Sequence, residues 1–220
     1  MATIKIYNNN ENRMETYFRR EDEAMPYNIN GTLRVREFRG SSKSDLLWTD
    51  RRTMESWNRF RSLYGRPIQV GYAFKRPYEG GHTAQSQHYA GVAFDVGQNL
   101  NNAQRAEMRS LASSSGLWSY VEPVSLTPTW VHFDRRSGTP ACGAGGGYPV
   151  VRLSNLGVYV LVLQDALNTL GYWTGGIDGV FGGATLNAVL AYQRSRGLSA
   201  DGVVGCMTWT ALMNDAVPRG

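Results

Sequence analysis

With 220 residues, 42% of them hydrophobic and 19% charged, the chain has a globular composition and room for one large domain or two modest ones. No apolar run approaches the roughly 20 residues that a membrane-spanning helix needs, and the opening MATIKIYNNNENR lacks the hydrophobic segment of a secretory signal. The net charge of +5 resides in residues 1–147, because from Tyr148 onward four arginines balance four aspartates; an acidic partner is one implication and plain solubility the other. The basic residues form no stripe, so neither a nucleic-acid nor a membrane partner is expected.

The stretch DRRTMESWNRFRSLYG places Met54, Trp57, Phe60, Leu63 and Tyr64 near a 3.6-residue period and stops at Gly65, which predicts a helix. PIQVGYAF follows as a short strand, and NAQRAEMRSLASSSG predicts a further helix over about 102–114. YVEPVSLTPTWVHFD reads as two strands joined by a proline-containing turn. Helices mixed with short strands imply an α+β domain: a small antiparallel sheet with flanking helices.

RRSGTPACGAGGGYP, rich in Gly, Ser and Pro, reads as a linker, which divides the chain into 1–137, a linker at 138–150, and 151–220. Beyond it, Val160, Leu163, Leu167 and Leu170 have helical spacing, ATLNAVLAYQRSRG predicts a second helix and CMTWTALM a short third. IDGVFGGAT and ADGVVGCMT share D-G-V-x-G-x-x-T, an internal repeat in which Asp-Gly supplies turn chemistry and the Thr suits a helix start. The second unit is therefore expected to be a small all-α bundle of three helices. Cys142 and Cys206 form no CxxC pattern and are either one disulfide or two idle thiols.

The chemistry concentrates in SQHYAGVAFD and TWVHFD. In an unbroken strand the seven-residue separation would put His88 and Asp95 on opposite faces. A turn at Gly91 removes that difficulty and leaves Asp95 on the polar face of a short strand, with Val92, Phe94 and Val96 towards the core. The same alternation groups Trp130, His132 and Asp134 against Val131 and Phe133. Two imidazoles and a carboxylate, with a fourth position for water, are the ligand set of a catalytic zinc site; histidines held by structural hydrogen bonds are the alternative.

Residues 158–213, including LQDALNTLGYW, IDGVFGGAT and ADGVVGCMT, resemble the peptidoglycan-binding domain found at the ends of bacterial and phage wall hydrolases, departing from it at Cys206, where the family usually has proline. SQHYAGVAFD fits the S-x-H-x-x-G-x-A-x-D motif of zinc peptidases of the D-alanyl-D-alanine carboxypeptidase and L-alanyl-D-glutamate endopeptidase type, with a hedgehog-like fold, and WVHFD resembles the strand carrying their last histidine. This second resemblance covers roughly residues 32–136. It implies Zn2+ held by His88, Asp95 and His132, and a basic side chain for the substrate's carboxylate, assigned to Arg76 with Lys75 as its rival. Ser86 and Trp130 are expected near the substrate, and Gln87 and His82 on the loop surface.

Related peptidases carry Glu or Asp three residues before the last histidine, where this chain has Thr129. If YVEP and TWVHFD pair across VSLTP, Glu122 falls opposite Thr129 or Trp130 and can serve as the general base; Asp134 is the alternative, or else a group that orients a ligand. The resemblances imply a monomeric peptidase acting on stem peptides of peptidoglycan at the bacterial wall, secreted or released by lysis. The rivals are a catalytically inactive wall-binding protein with a structural metal and, less suited to such a tail, an iron facial triad built on the H-x-D of residues 132–134.

Overall fold

Ala2, Ile4 and Ile6 alternate with half-exposed polar residues, and this period-two pattern makes the first strand, β1 (Ala2–Asn8), line a core with one face. The computed structural model describes residues 1–143 and 147–218. β1 pairs antiparallel with β2 (Arg13–Arg19) and parallel with β3 (Leu46–Asp50), in the order β2-β1-β3. Between β2 and β3 lies the short helix α1 (Val35–Arg39). Asp50 then caps helix α2 (Arg51–Tyr64), its carboxylate accepting from Thr53 N at 2.7 Å, and Gly65 ends the helix in the left-handed conformation. Met54, Trp57, Phe60 and Tyr64 are buried as expected, but Leu63 is exposed, because it lies about 100° around the helix from Tyr64.

A second sheet, antiparallel throughout, has the order β4-β5-β7-β6 and carries the candidate site. Its strands are β4 (Val70–Tyr72), β5 (Ala93–Val96), β6 (Tyr120–Val121) and β7 (Val131–Asp134). Helix α3 (Asn102–Ser114) connects β5 to β6 and opens with a reciprocal capping box between Asn101 and Gln104. The core-facing side chains of this sheet meet the aromatic face of α2: Trp57 lies 4.7 Å from Phe94, Phe60 5.0 Å from Phe133, and Trp118 4.2 Å from Phe133, between ring centroids. One face of the sheet is thus held by large buried rings, leaving the other for polar side chains.

The C-terminal part is built from helices α4 (Val158–Thr169), α5 (Gly183–Ser195) and α6 (Cys206–Ala216). Leu163, Leu167, Phe181 and Trp209 are buried among them. Each copy of the repeat is organised by a buried glutamine on the helix before it. Gln164 Nε2 donates to Asp178 Oδ1, Val180 O and Thr185 Oγ1, while its Oε1 accepts from Asp178 N and Gly179 N. Gln193 repeats the pattern with Asp201, Val203, Thr208 and Gly202. The repeat threonines are therefore not helix caps, as their position suggested: Gly182 and Gly205 occupy the cap positions, and Thr185 and Thr208 lie inside, bound to the glutamines.

The expected linker, 138–150, is tied down wherever it is described; residues 144–146 of it lie outside the described residues. Pro140 bridges Pro149, Ala141 N donates to Tyr148 O, and Tyr148 is fully buried, its hydroxyl donating to Ser86 O at 2.7 Å and its ring 5.0 Å from that of Trp209. Cys142 and Cys206 form a disulfide with Cα atoms 4.7 Å apart. Arg76, before a 3-10 turn at Pro77–Glu79, makes a two-pronged ion pair with the buried Asp165 of α4. The described residues of this linker are thus held by contacts from both flanking units. The disulfide closes a span of 64 residues, for which chain entropy predicts about 4 kcal/mol of stabilisation. The paired substitution Cys142→Ser with Cys206→Ser should lower the unfolding free energy by up to that amount in urea titrations, with the m-value showing whether the unfolded state also expands.

Candidate metal centre

β5 and β7 pair so that Asp95 stands directly opposite His132, which places both side chains together on the polar face of the sheet. His88 reaches the same point from a turn. Tyr89 N donates to Ser86 O and Gly91 N to His88 O, and Gly91 adopts φ +69°. A β-carbon at Gly91 would lie 2.0 Å from Trp48 O, so both its backbone conformation and the close approach of β3 require glycine. The indole of Trp48 donates to Tyr89 O at 2.8 Å and holds the turn against the core.

His88, Asp95 and His132 each offer one ligand atom, all within 4.8 Å of one another. His88 Nδ1 lies 3.0 Å from Ala73 O. A carbonyl only accepts, so Nδ1 carries a proton and donates there, while Nε2 lies 3.3 Å from Asp95 Oδ2. His132 lies between two carboxylates, Nδ1 at 2.7 Å from Asp95 Oδ1 and Nε2 at 3.3 Å from Asp134 Oδ2. Burial lowers the pKa of His132, but hydrogen bonds to Asp134 and Asp95 outweigh it and raise it to about 9. Burial raises Asp95, yet its hydrogen bonds from His132 and His88 hold it well below the usual carboxylate range. The cluster therefore demands a positive charge, and a divalent cation bound there would displace the His132 proton. Outer contacts of the kind that orient metal-binding imidazoles are present on both histidines.

Asp134 is completely buried, and its two oxygens are engaged by the Arg136 guanidinium as well as by His132. Arg136 in turn lies 4.2 Å over the ring of Tyr120. Of the two roles weighed for Asp134, its surroundings favour holding His132 in place, since both oxygens are already engaged.

A cleft of about 1330 Å³ opens over the cluster, lined among others by His82, Ser86, Glu122, Trp130 and Arg136. Glu122 arrives there in a different register from the one expected. Tyr120 pairs with Asp134, Val121 with Phe133, and Glu122 N donates to His132 O at 2.9 Å, so Glu122 stands opposite His132 and not opposite Thr129 or Trp130. The connection between β6 and β7 is longer than a tight turn, which shifts the pairing. Ser86 lies at the cleft and accepts from His88 N at 3.3 Å.

Arg76 is not among the cleft-lining residues: it points to Asp165, with Ser44 Oγ as a further acceptor, and is unavailable to a substrate. Lys75 does not line the cleft either, but its ammonium lies 3.4 Å from where a β-carbon on the lining residue Gly81 would stand and forms no ion pair among the described residues. Gln87 and His82, expected on the loop surface, are not there. Gln87 is buried and accepts from Tyr159 of α4, and the His82 ring stacks on His88 at 4.4 Å. Burial and the neighbouring His88 push the His82 pKa down to about 3. Nothing in residue type or period marked His82; its rarity, as one of three histidines, was the available signal.

Residues 157–212 match the family model described as "Putative peptidoglycan binding domain". The chain is 49% identical over 53 residues to the N-acetylmuramoyl-L-alanine amidase CwlM of Mycobacterium tuberculosis, a span covering 24% of this chain and 13% of that one. It is 29% identical over 109 residues to the spore cortex-lytic enzyme of Oceanobacillus iheyensis, covering 50% of this chain and 34% of the relative. A crystal structure of a peptidoglycan-binding protein from Clostridioides difficile aligns with 45% identity and a TM-score of 0.31, over 31% of this chain and 43% of that one. The chain thus spans a minority of the length of these relatives. The family match begins beyond β7 and so contains none of His88, Asp95 and His132. The three helices packed around the twice-repeated Asp-Gly loop make up the part of the chain, residues 157–212, that matches the peptidoglycan-binding domain model.

Proposed function

We propose that the protein is a zinc-dependent peptidase that cleaves stem peptides of peptidoglycan. The observation that carries this reading is the convergence of His88, Asp95 and His132 at the base of a cleft that also presents Glu122. The peptidoglycan-binding domain supports the substrate class, and the relatives named as wall-lytic enzymes support hydrolysis.

Zinc held by His88, Asp95 and His132 would supply a water of lowered pKa and polarise the scissile carbonyl. Glu122 takes the proton at its carboxylate and returns it to the leaving amine nitrogen. Its backbone pairing to the His132 strand places it beside the cluster, and it enters the cleft from β6, filling the role that Thr129 leaves open. Asp134 and the Ala73 carbonyl orient the imidazoles of His132 and His88. Trp130 and Ser86 contact the peptide, and Lys75 takes over from Arg76 the attraction of its carboxylate.

A second reading, a wall-binding protein with a structural metal and no turnover, is favoured by one observation: Arg76 is consumed by Asp165. Between the peptidase chemistries, the size of the cleft, whose lining includes Gln85 and Gly143 as well as the cluster, suits a longer substrate, as in an L-alanyl-D-glutamate endopeptidase.

Chelation should abolish hydrolysis of purified wall and zinc should restore it, while His132→Ala should lose the metal in elemental analysis; full activity in metal-free protein would falsify the site. Glu122→Gln should retain zinc and lose turnover by about 100-fold or more, whereas near-normal turnover there with an inactive Asp134→Asn would move the base to Asp134. Mass spectrometry of a soluble pentapeptide stem should show a new amino terminus on D-glutamate. Free D-alanine as the only product would instead identify a carboxypeptidase, and no product at all would favour the second reading.

A further inference from the structure

Glu122 and Trp130 bracket a connection whose own apolar residues do not hold it, since Val124 and Leu126 are exposed. Within it, Leu126 N and Thr127 N both turn back to Pro123 O. Among the described residues, one side chain from outside the segment hydrogen-bonds to it. Arg109, on the face of α3 towards β6 and β7, donates from Nε to Glu122 O at 3.0 Å and from Nη2 to Thr127 O at 2.8 Å, Thr127 Oγ1 at 3.2 Å and Trp130 O at 2.7 Å.

These contacts are unusual in what they leave out. Arg109 forms no ion pair among the described residues, so its charge is directed at main-chain carbonyls and one hydroxyl, all between residues 122 and 130. A planar fork with fixed donor directions constrains several acceptors at once, which an ammonium cannot do. Glu122 is consequently held at both main-chain groups, its N–H by His132 O and its C=O by Arg109. That fixes its Cα and the direction in which its side chain leaves for the cleft. Trp130, at the other end, is held by the same nitrogen that holds Thr127.

We propose that Arg109 is a positioning residue that sets Glu122 and Trp130 at the cleft and acts through Glu122. The proposal rests on the reading of Glu122 as general base. A group displaced by about 1 Å from its productive geometry costs on the order of 100-fold in rate, so the loss expected on removing the fork is large although no atom of Arg109 touches substrate.

The test is a double-mutant cycle on soluble stem peptide, run alongside hydrogen exchange of the full-length protein. Arg109→Met should lower kcat by about 10- to 100-fold at unchanged zinc content, and Arg109→Lys should fall between it and the wild type. In a Glu122→Gln background, Arg109→Met should cause less than about a further two-fold loss, because the group it positions is already disabled. Exchange should accelerate in residues 123–130 while β5 and β7 keep their protection. The same fold-loss in both backgrounds, an unchanged kcat, or acceleration spread through both sheets would overturn the proposal. If Arg109→Met does not fold, Arg109→Lys in the same cycle decides it. If the wild type shows no hydrolysis, the peptidase reading fails, and confined exchange still upholds the anchoring of residues 122–130 by Arg109 while unconfined exchange refutes it.

Discussion

The antiparallel pairing of Asp95 with His132 is the constraint on which the candidate site depends. A shift of one residue would turn His132 into the aromatic core and Phe133 out into the cleft. Preventing that shift is the work of the buried rings beneath, where Phe94 and Phe133 lock against Trp57, Phe60 and Trp118. The polar chemistry above and the apolar packing below are therefore two faces of one register. His88, which comes from a turn, joins them because Gly91 admits the Trp48 carbonyl at a distance that no other residue tolerates.

Charge is distributed around the centre in layers. Asp95 faces both imidazoles, Asp134 backs His132, and Arg136 neutralises Asp134 from a position stacked on Tyr120. Each buried charge has a partner, as burial demands. Removing the outermost member of such a chain is felt at the innermost, since Asp134 without Arg136 would compete for the His132 proton on different terms. The same rule governs the contact between the two halves of the molecule. Breaking a buried pair such as Arg76 with Asp165 by substituting one partner costs on the order of 3–5 kcal/mol, because the other is left charged and dry.

Local patterns made much of this legible. Period-two alternation in VAFD and WVHFD puts Asp95 and His132 each on the polar face of its strand, NAQRAEMRSLASSSG gives the helix at 102–114, and the repeat marks the C-terminal bundle. What escaped were features that depend on distant partners. The sheet formed by β1 and β2 carries the same alternation in ATIKIYN, but β3, which completes it, pairs in parallel with partners 43 residues further on, as Leu46 does with Thr3. The register of Glu122 depended on a connection whose shape Arg109 determines from another element. Arg76 looked free because Asp165 is 89 residues further on. The ties at the glycine-rich segment were not legible because composition reports how a chain behaves alone, whereas Tyr148 is buried by rings that come from α4 and α6.

The fastening of α4 to the N-terminal half changes the arithmetic of multivalent attachment. A binding module on a loose tether lets its neighbour sample a volume set by linker length, and raises the local concentration of every site within reach. With Asp165, Tyr148 and the Cys142–Cys206 bond holding the two halves together, that sampling is replaced by a single vector from the attachment point to the cleft. Groups along that vector gain the whole advantage and groups off it gain none, so what the cleft can reach becomes a question of orientation and not of affinity.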